Sequence, residues 1–395
     1  MITTRELFLN HLAKTSPEPL LLEIVKAEGC ELTDINGKKY VDFISGISVS
    51  NMGHRHPAVV EAITNQLQKY MHLMVYGEYI QSPQIELAQL LTALLPASLN
   101  SCYFVNSGTE ATEGAMKLAK RFTGRHKFLA FHNSYHGHTQ GAMSLMDNPY
   151  FTENYKPLLP GISFIKFNNI DEINKIDSSY AAIFIELVKA ETGCTVADKT
   201  FINALVQKCK ECGVLIILDE IQTGFARTGS MFAFEEYDFV PDILTLGKGM
   251  GGGMPIGAFI SNKNLMATLS NHPVLGHITT FGGHPVNCAA AVANINVISQ
   301  IVKEDDVIEK GELIRSILKH ALIKKIHGKG LLLAVEFENE KINKQIIKNC
   351  IGNGIITDWF LYAPHMMRIA PPLNCSKEII EYTCHTIIKS CNQII

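Results

Sequence analysis

Seven short apolar runs, separated by helical stretches, constrain this chain more than any other feature. They lie at residues 102–105, 127–131, 162–167, 181–185, 214–218, 243–246 and 256–260. Several are apolar at every position, which a strand can be only if both of its faces are covered. Strands of that kind alternating with helices argue for an α/β fold, with a mainly parallel central sheet and helices on both faces. Before this region, residues 30–35 and 38–43 flank Asn36-Gly37, the strongest short-range signal for a hairpin. After residue 290 the pattern changes: helical periodicity at 285–301 and 307–325 is followed by strand-like segments at 331–337 and 366–370. The expected organisation is a large α/β domain over 49–290. Residues 1–48 and 291–395 form a smaller α+β domain.

The bulk numbers narrow function mainly by exclusion. The chain has 395 residues, 47% of them hydrophobic and 18% charged, which is ample for a packed core. Lys plus Arg total 35 against 38 Asp plus Glu, a net charge of -3, so nothing favours nucleic acid or an anionic membrane surface as partner. Arg5, Glu6, Asn10 and His11 interrupt the first residues, unlike a signal peptide, and no run approaches the ~20 apolar residues of a membrane span. A cytoplasmic protein is expected. Ten cysteines show no framework spacing; Cys209 and Cys212 form a C-x-x-C inside a helical pattern at 201–212 with no second pair, so two reduced thiols one turn apart are expected rather than a metal or redox site.

Three segments carry chemistry. The apolar run 214–218 ends in Asp219 and Glu220. Ligands of open α/β sheets bind beyond the carboxyl ends of strands, and a carboxylate emerging there needs a cation to offset its desolvation. A protonated pyridine nitrogen would serve; a solvated loop acid or helix cap is the plain alternative. Thr245-Leu-Gly-Lys-Gly-Met-Gly-Gly-Gly253 places Lys248 just past a strand among glycines. A desolvated lysine there is an amine nucleophile toward carbonyls, although an exposed loop lysine has the same sequence. The same stretch fits G-x-G-x-x-G, but a strand-like segment follows instead of a helix and no acid occurs until Glu304, so a dinucleotide site is not expected. Finally, the run 102–105 leads into Asn106-Ser-Gly-Thr109 and a helix over 110–121. Amides at a helix N-terminus, with the hydroxyls of Ser107 and Thr109, suit a phosphate, or simply cap the helix.

An anion cradle, a buried acid and a poised lysine together meet the needs of one ligand, pyridoxal 5'-phosphate (PLP), which must be held by phosphate, ring nitrogen and aldehyde. The sequence also resembles the class III aminotransferases of the fold-type-I PLP superfamily over nearly its whole length. The resemblance rests on Asn106-Ser-Gly-Thr-Glu-Ala111, Tyr135-His-Gly137, Leu218-Asp-Glu-Ile-Gln-Thr-Gly-Phe-Ala-Arg-Thr-Gly229, Leu246-Gly-Lys-Gly-Met-Gly-Gly-Gly253, Thr280-Phe-Gly-Gly283 and Arg368-Ile-Ala-Pro-Pro372. The acetylornithine and ornithine aminotransferase branch is the most similar.

The resemblance implies a set of roles. Ser107, Gly108 and Thr109 hold the phosphate; Tyr135 stacks on the ring; Asp219 keeps the pyridine nitrogen protonated; Gln222 bonds the phenolic oxygen. Lys248 forms the Schiff base and then shuttles the proton. Thr280 reaches the phosphate in the other subunit, which implies a homodimer. Arg368 binds a substrate carboxylate and Glu191 pairs with it when that carboxylate is absent. Together these imply ping-pong transfer of an amino group from an acetylornithine-like or ω-amine donor to a keto acid such as 2-oxoglutarate. An aminomutase or decarboxylating relative is the neighbouring reading, and a non-catalytic binding protein on the same fold is the remote one, against which both Lys248 and Asp219 argue. No metal is expected, although His132, His136 and His138 are clustered in sequence.

Two departures from the branch bear on substrate. His138 stands where an arginine is usual, and a histidine lacks the two-pronged guanidinium donor and is fully charged only in acid. The usual Glu-Pro-x-Gln-Gly-Glu segment reads Glu186-Leu-Val-Lys-Ala-Glu191, so Lys189 is expected to take over part of the missing arginine's carboxylate binding.

Overall fold

The computed structural model describes residues 2–303 and 306–394. Its centre is a seven-stranded sheet. In chain order the strands are β1 (Ser101–Val105), β2 (Lys127–Phe131), β3 (Ile162–Ile165), β4 (Tyr180–Ile185), β5 (Leu215–Asp219), β6 (Ile243–Leu246) and β7 (Gly257–Ser261). They lie side by side in the order β1-β7-β6-β5-β4-β2-β3. Only β7 is antiparallel to its neighbours, so the other six all end at the same edge of the sheet.

The all-apolar strands divide their side chains between two cores. On β2, Leu129 and Phe131 enter the core that includes Phe201 and Leu205 of the helix Lys199–Cys212. Phe128 and Ala130 enter the opposite one, against Ala111, Ala115 and Leu118 of α1 (Gly108–Thr123). A slip of one residue would exchange the two sets, which fixes the register.

A second sheet joins the two ends of the chain. The strands Glu31–Asp34 and Lys39–Asp42 form the Asn36-Gly37 hairpin. Gly37 takes a positive φ of 80°, and the Asp34 carboxylate accepts from the Asn36 and Lys38 amides. Ile24–Glu28 pairs on one side and Ile355–Ile356 on the other. On that pairing we propose the division into 49–290 and the combined segments 1–48 and 291–395. Another four-stranded sheet carries Lys325–Lys329, Leu332–Glu336, Ala363–Ile369 and Trp359–Phe360. Among the described residues no single helix is long and apolar enough to cross a membrane.

One expected element is wrong. The helix expected over 307–325 ends at Ile317, and Lys325–Lys329 is a strand paired with Leu332–Glu336. Tertiary contacts override the helical periodicity. The Arg315 guanidinium donates to the carbonyls of Ile326 and Gly328, and His320 accepts the Leu322 amide in the intervening turn.

Arg227 ties these parts together. It is fully buried and donates to the carbonyls of Leu331 and Pro371 and to the Asn51 side chain, three segments far apart in sequence. Burial pushes its pKa down to about 9, with Asp42 opposing the shift. Arg227→Ala should strand three buried acceptors and lower stability by roughly 3 kcal/mol or more. A fall in the urea midpoint checks this; an unchanged midpoint would show that the guanidinium holds nothing together.

Candidate active site

Because the parallel strands end together, so do the chemical groups that follow them. Asp219 is the last residue of β5, Glu186 follows β4, Ser107 follows β1, Tyr135 lies four residues past β2 and Lys248 two past β6. All but Ser107, which lies one residue before the lining, meet at a cavity of about 280 Å³ lined by Gly108, Thr109, Tyr135, Gln222, Lys248 and Asp219, with His136, His138, Glu186 and Glu191. An adjoining space of about 320 Å³ shares Tyr135, Glu191 and Lys248 and adds Ile47, Trp359 and Arg368.

At one end of the cavity is the N-terminus of α1. Ser107 is its cap, accepting the Glu110 amide, so the helix begins two residues earlier than expected and puts Gly108 and Thr109 in its first turn. The positive helix pole and free amides of that turn favour an anion. Gly137 crosses here at φ 126°, and a Cβ on it would fall 2.3 Å from the Thr109 hydroxyl.

At the base, the Asp219 carboxylate accepts from the Ile221 amide at 2.9 Å and pairs with His136 Nδ1 at 2.7 Å. Both side chains are buried. Lys248 Nζ donates to Gln222 Oε1 at 2.7 Å. Desolvation holds the Lys248 pKa below the ordinary lysine range; Glu191 opposes this and Arg368 adds to it. The neutral amine is thereby favoured, as a nucleophile and proton acceptor requires. Glu186 is buried against the amides of Tyr135 and Ala190, and burial pushes its pKa up to about 7.

Arg368 closes the adjoining space. Its Nη1 and Nη2 grip the Glu191 carboxylate at 3.1 and 3.2 Å, and its Nε donates to Asp358 at 2.9 Å. Burial works against the Glu191 charge, but Arg368 and the Leu361 amide hold its pKa below the usual carboxylate range.

Sequence reasoning placed most of these residues, with exceptions. Lys189 does not join the cavity wall. It is buried behind the wall, donates to the His132 carbonyl at 2.5 Å and lies over the Phe167 ring. It lines neither space, which goes against the expectation that it binds a substrate carboxylate. Thr280 is exposed, outside this chain's own cavity. The three clustered histidines take separate partners: His132 pairs with Asp147, His136 with Asp219, and His138 meets the Tyr135 ring edge-on. The partnership of His136 with Asp219 was missed because the two lie 83 residues apart. The only local signal was its place beside Tyr135.

The residues fit PLP. His136 Nε2 and Gln222 Nε2 are buried without partners, which leaves unused donor or acceptor capacity around the cavity. The phosphate cradle, the acid and the lysine stand around one space of suitable chemistry. Fold and site thus define a fold-type-I PLP enzyme. The chain belongs to the class-III aminotransferases: the model of that family, "Aminotransferase class-III", matches residues 12–391. It is 39% identical over 370 residues to the acetylornithine aminotransferase of Methanocaldococcus jannaschii, covering 91% of this chain and 90% of the relative. It is 37% identical to the LysW-aminoadipate semialdehyde/glutamate semialdehyde transaminase of Sulfurisphaera tokodaii, covering 80% and 81%. Its fold is similar to that of the ornithine aminotransferase of Toxoplasma gondii, with TM-score 0.91 and 29% identity, covering 100% and 95%. The protein is a PLP-dependent aminotransferase.

Two outcomes are expected. Lys248→Ala should abolish turnover with the fold intact, and borohydride treatment of the wild-type holoenzyme should fix the cofactor to Lys248. A label mapped to another lysine would overturn the assignment. Asp219→Asn should lower kcat on the order of a hundredfold, the scale of losing one preorganised electrostatic partner, without changing the unfolding midpoint. Near-normal kcat would mean that another group serves the ring nitrogen.

Proposed function

We propose that the enzyme moves an amino group from an acetylornithine-like or other ω-amino donor to a keto acid, 2-oxoglutarate, in two half-reactions at one site, and that it works as a homodimer. The observation that carries this reading is that a carboxylate reader, Arg368, and a poised lysine, Lys248, line connected spaces that share Tyr135 and Glu191. The transaminase names of the relatives from Methanocaldococcus and Sulfurisphaera agree in kind.

Bound here, PLP would supply an electron sink for deprotonation of the substrate carbon bearing nitrogen. The remaining work falls to this chain. The first turn of α1, with Ser107, Gly108 and Thr109, anchors the phosphate. Tyr135 covers the ring. Asp219, fixed by His136 and the Ile221 amide, presents its charge to the ring nitrogen. Gln222 has its amide nitrogen free for the phenolic oxygen. Lys248 Nζ, its pKa held down by desolvation, takes the proton from the substrate carbon and returns it. Arg368 binds a substrate carboxylate when Glu191 moves aside, and Glu191 neutralises it otherwise. Thr280 of each protomer serves the phosphate in the opposite site, in keeping with its exposure outside its own cavity.

His138 lines the cavity and is exposed. Lys189 is not in the lining, and among the described residues that line this cavity none carries a guanidinium. A donor panel with 2-oxoglutarate and pyruvate as acceptors should show acetylornithine-like donors preferred. His138→Arg should raise kcat/KM for donors with a distal carboxylate roughly tenfold, about the strength of one charge-assisted hydrogen bond. No gain would show that the donor's carboxylate never meets residue 138, and no turnover of any ω-amino donor would overturn the substrate reading.

A further inference from the structure

Arg368 is held by two carboxylates that differ in how they are anchored. Glu191 stands on the short turn Ala190–Thr192, 177 residues away in sequence. Asp358 directly precedes Trp359–Phe360, the strand that pairs with the Arg368 strand Ala363–Ile369. The Arg368 amide donates to the Asp358 carbonyl at 2.9 Å, and the Thr357 hydroxyl donates to the Arg368 carbonyl at 2.6 Å. Asp358 therefore stands opposite Arg368 in a backbone-paired unit, and its Oδ1 accepts from Nε at 2.9 Å. The Phe360 ring, 4.4 Å from Cζ, covers one face of the guanidinium. The Trp359 carbonyl takes a further Nη2 proton at 3.3 Å.

We infer that Asp358 is a positioning residue for substrate recognition: it keeps hold of the Arg368 Nε edge through both half-reactions, so that only the terminal edge covered by Glu191 ever opens to a substrate carboxylate. This rests on Arg368 being the carboxylate reader. The Nε edge is the one that would otherwise offer a competing two-pronged grip. With it closed, an incoming carboxylate inherits the three donors that Glu191 uses: Nη1, Nη2 and the Leu361 amide. The exchange also leaves the local charge unchanged, since one cation faces two carboxylates before and after. A lone Arg368 would instead become an uncompensated buried cation whenever Glu191 left. Asp358 thus lowers the cost of opening the gate as well as fixing the direction in which the guanidinium points.

The test uses the holoenzyme with Asp358→Ala, Asp358→Asn and Arg368→Ala. It reads KM and kcat for L-glutamate and 2-oxoglutarate, and the inhibition constant of glutarate, a dicarboxylate with no amino group. Asp358→Ala should raise both KM values and the glutarate constant roughly tenfold, with kcat within about twofold and the cofactor absorbance unchanged. Asp358→Asn, which keeps an oxygen facing Nε but not the charge, should recover part of the loss. Unchanged constants in Asp358→Ala would overturn the inference. So would parallel losses in kcat and cofactor absorbance that Asn does not rescue, because a purely structural role gives that pattern. Arg368→Ala separates the underlying reading: if it leaves glutarate binding intact, Arg368 is not the carboxylate reader and the role of Asp358 falls with it.

Discussion

A single buried guanidinium holds the working geometry together. Arg227 has no carboxylate within its hydrogen bonds; its charge is met by two carbonyls and an amide oxygen. A cation in that position is costly, and its ring of acceptors is what offsets the cost. Those acceptors belong to the segment after the N-terminal hairpin, to the turn before Leu332–Glu336 and to the segment just after Arg368. Asn51 extends the tie, since its amide nitrogen donates to the Phe225 carbonyl and it packs against Gly249, beside Lys248. The arginine strand of the small sheet is therefore tied by hydrogen bonds to the Arg227 loop and to Asn51, and the lysine loop meets Asn51 by packing at Gly249.

The loop that carries Arg227 is itself built around a second buried charge site. Glu220, next to Asp219, accepts from the Thr223 hydroxyl and from the Ala233 and Phe234 amides. Burial nevertheless pushes its pKa up to about 7, the three hydrogen bonds opposing the shift. Phe225 and Ala226 both take positive φ, a conformation unfavourable to them that persists only where the surroundings over-determine it. The two adjacent carboxylates thus divide the work: Asp219 faces the cavity with His136 behind it, and Glu220 faces the protein and folds the loop. Their environments set the roles, since the residue types are nearly the same.

Much of this was legible in the chain. The seven strands were visible as apolar runs, unbroken where burial on both faces demands it, as at 181–185 and 214–218. Asp219, Lys248 and the first turn of α1 were visible because each sits immediately after such a run, where a parallel sheet puts its ligand. The segment 318–325 was misread as helix, and the strand Lys325–Lys329 was missed, because a short strand on a small sheet has no local signature stronger than the helical period preceding it. Lys189 was misread for a different reason. Its charge suggested a substrate contact, but the side chain found the His132 carbonyl and the Phe167 ring, neither of which is near it in sequence.

The sequence by itself determined the strands of the large sheet, the edge at which the chemistry gathers, and the candidates for the acid, the lysine and the anion cradle. Those are local properties, fixed by periodicity and by residues next to a strand end. The tertiary structure alone decided which groups serve which. His136 is given to Asp219, Asp358 to the Nε edge of Arg368, Lys189 to a backbone carbonyl, and Thr280 lies away from its own cavity. Such assignments depend on distances of about 3 Å between residues distant in sequence. The hydrogen bond is too short-ranged to be read until the backbone has brought its two ends together.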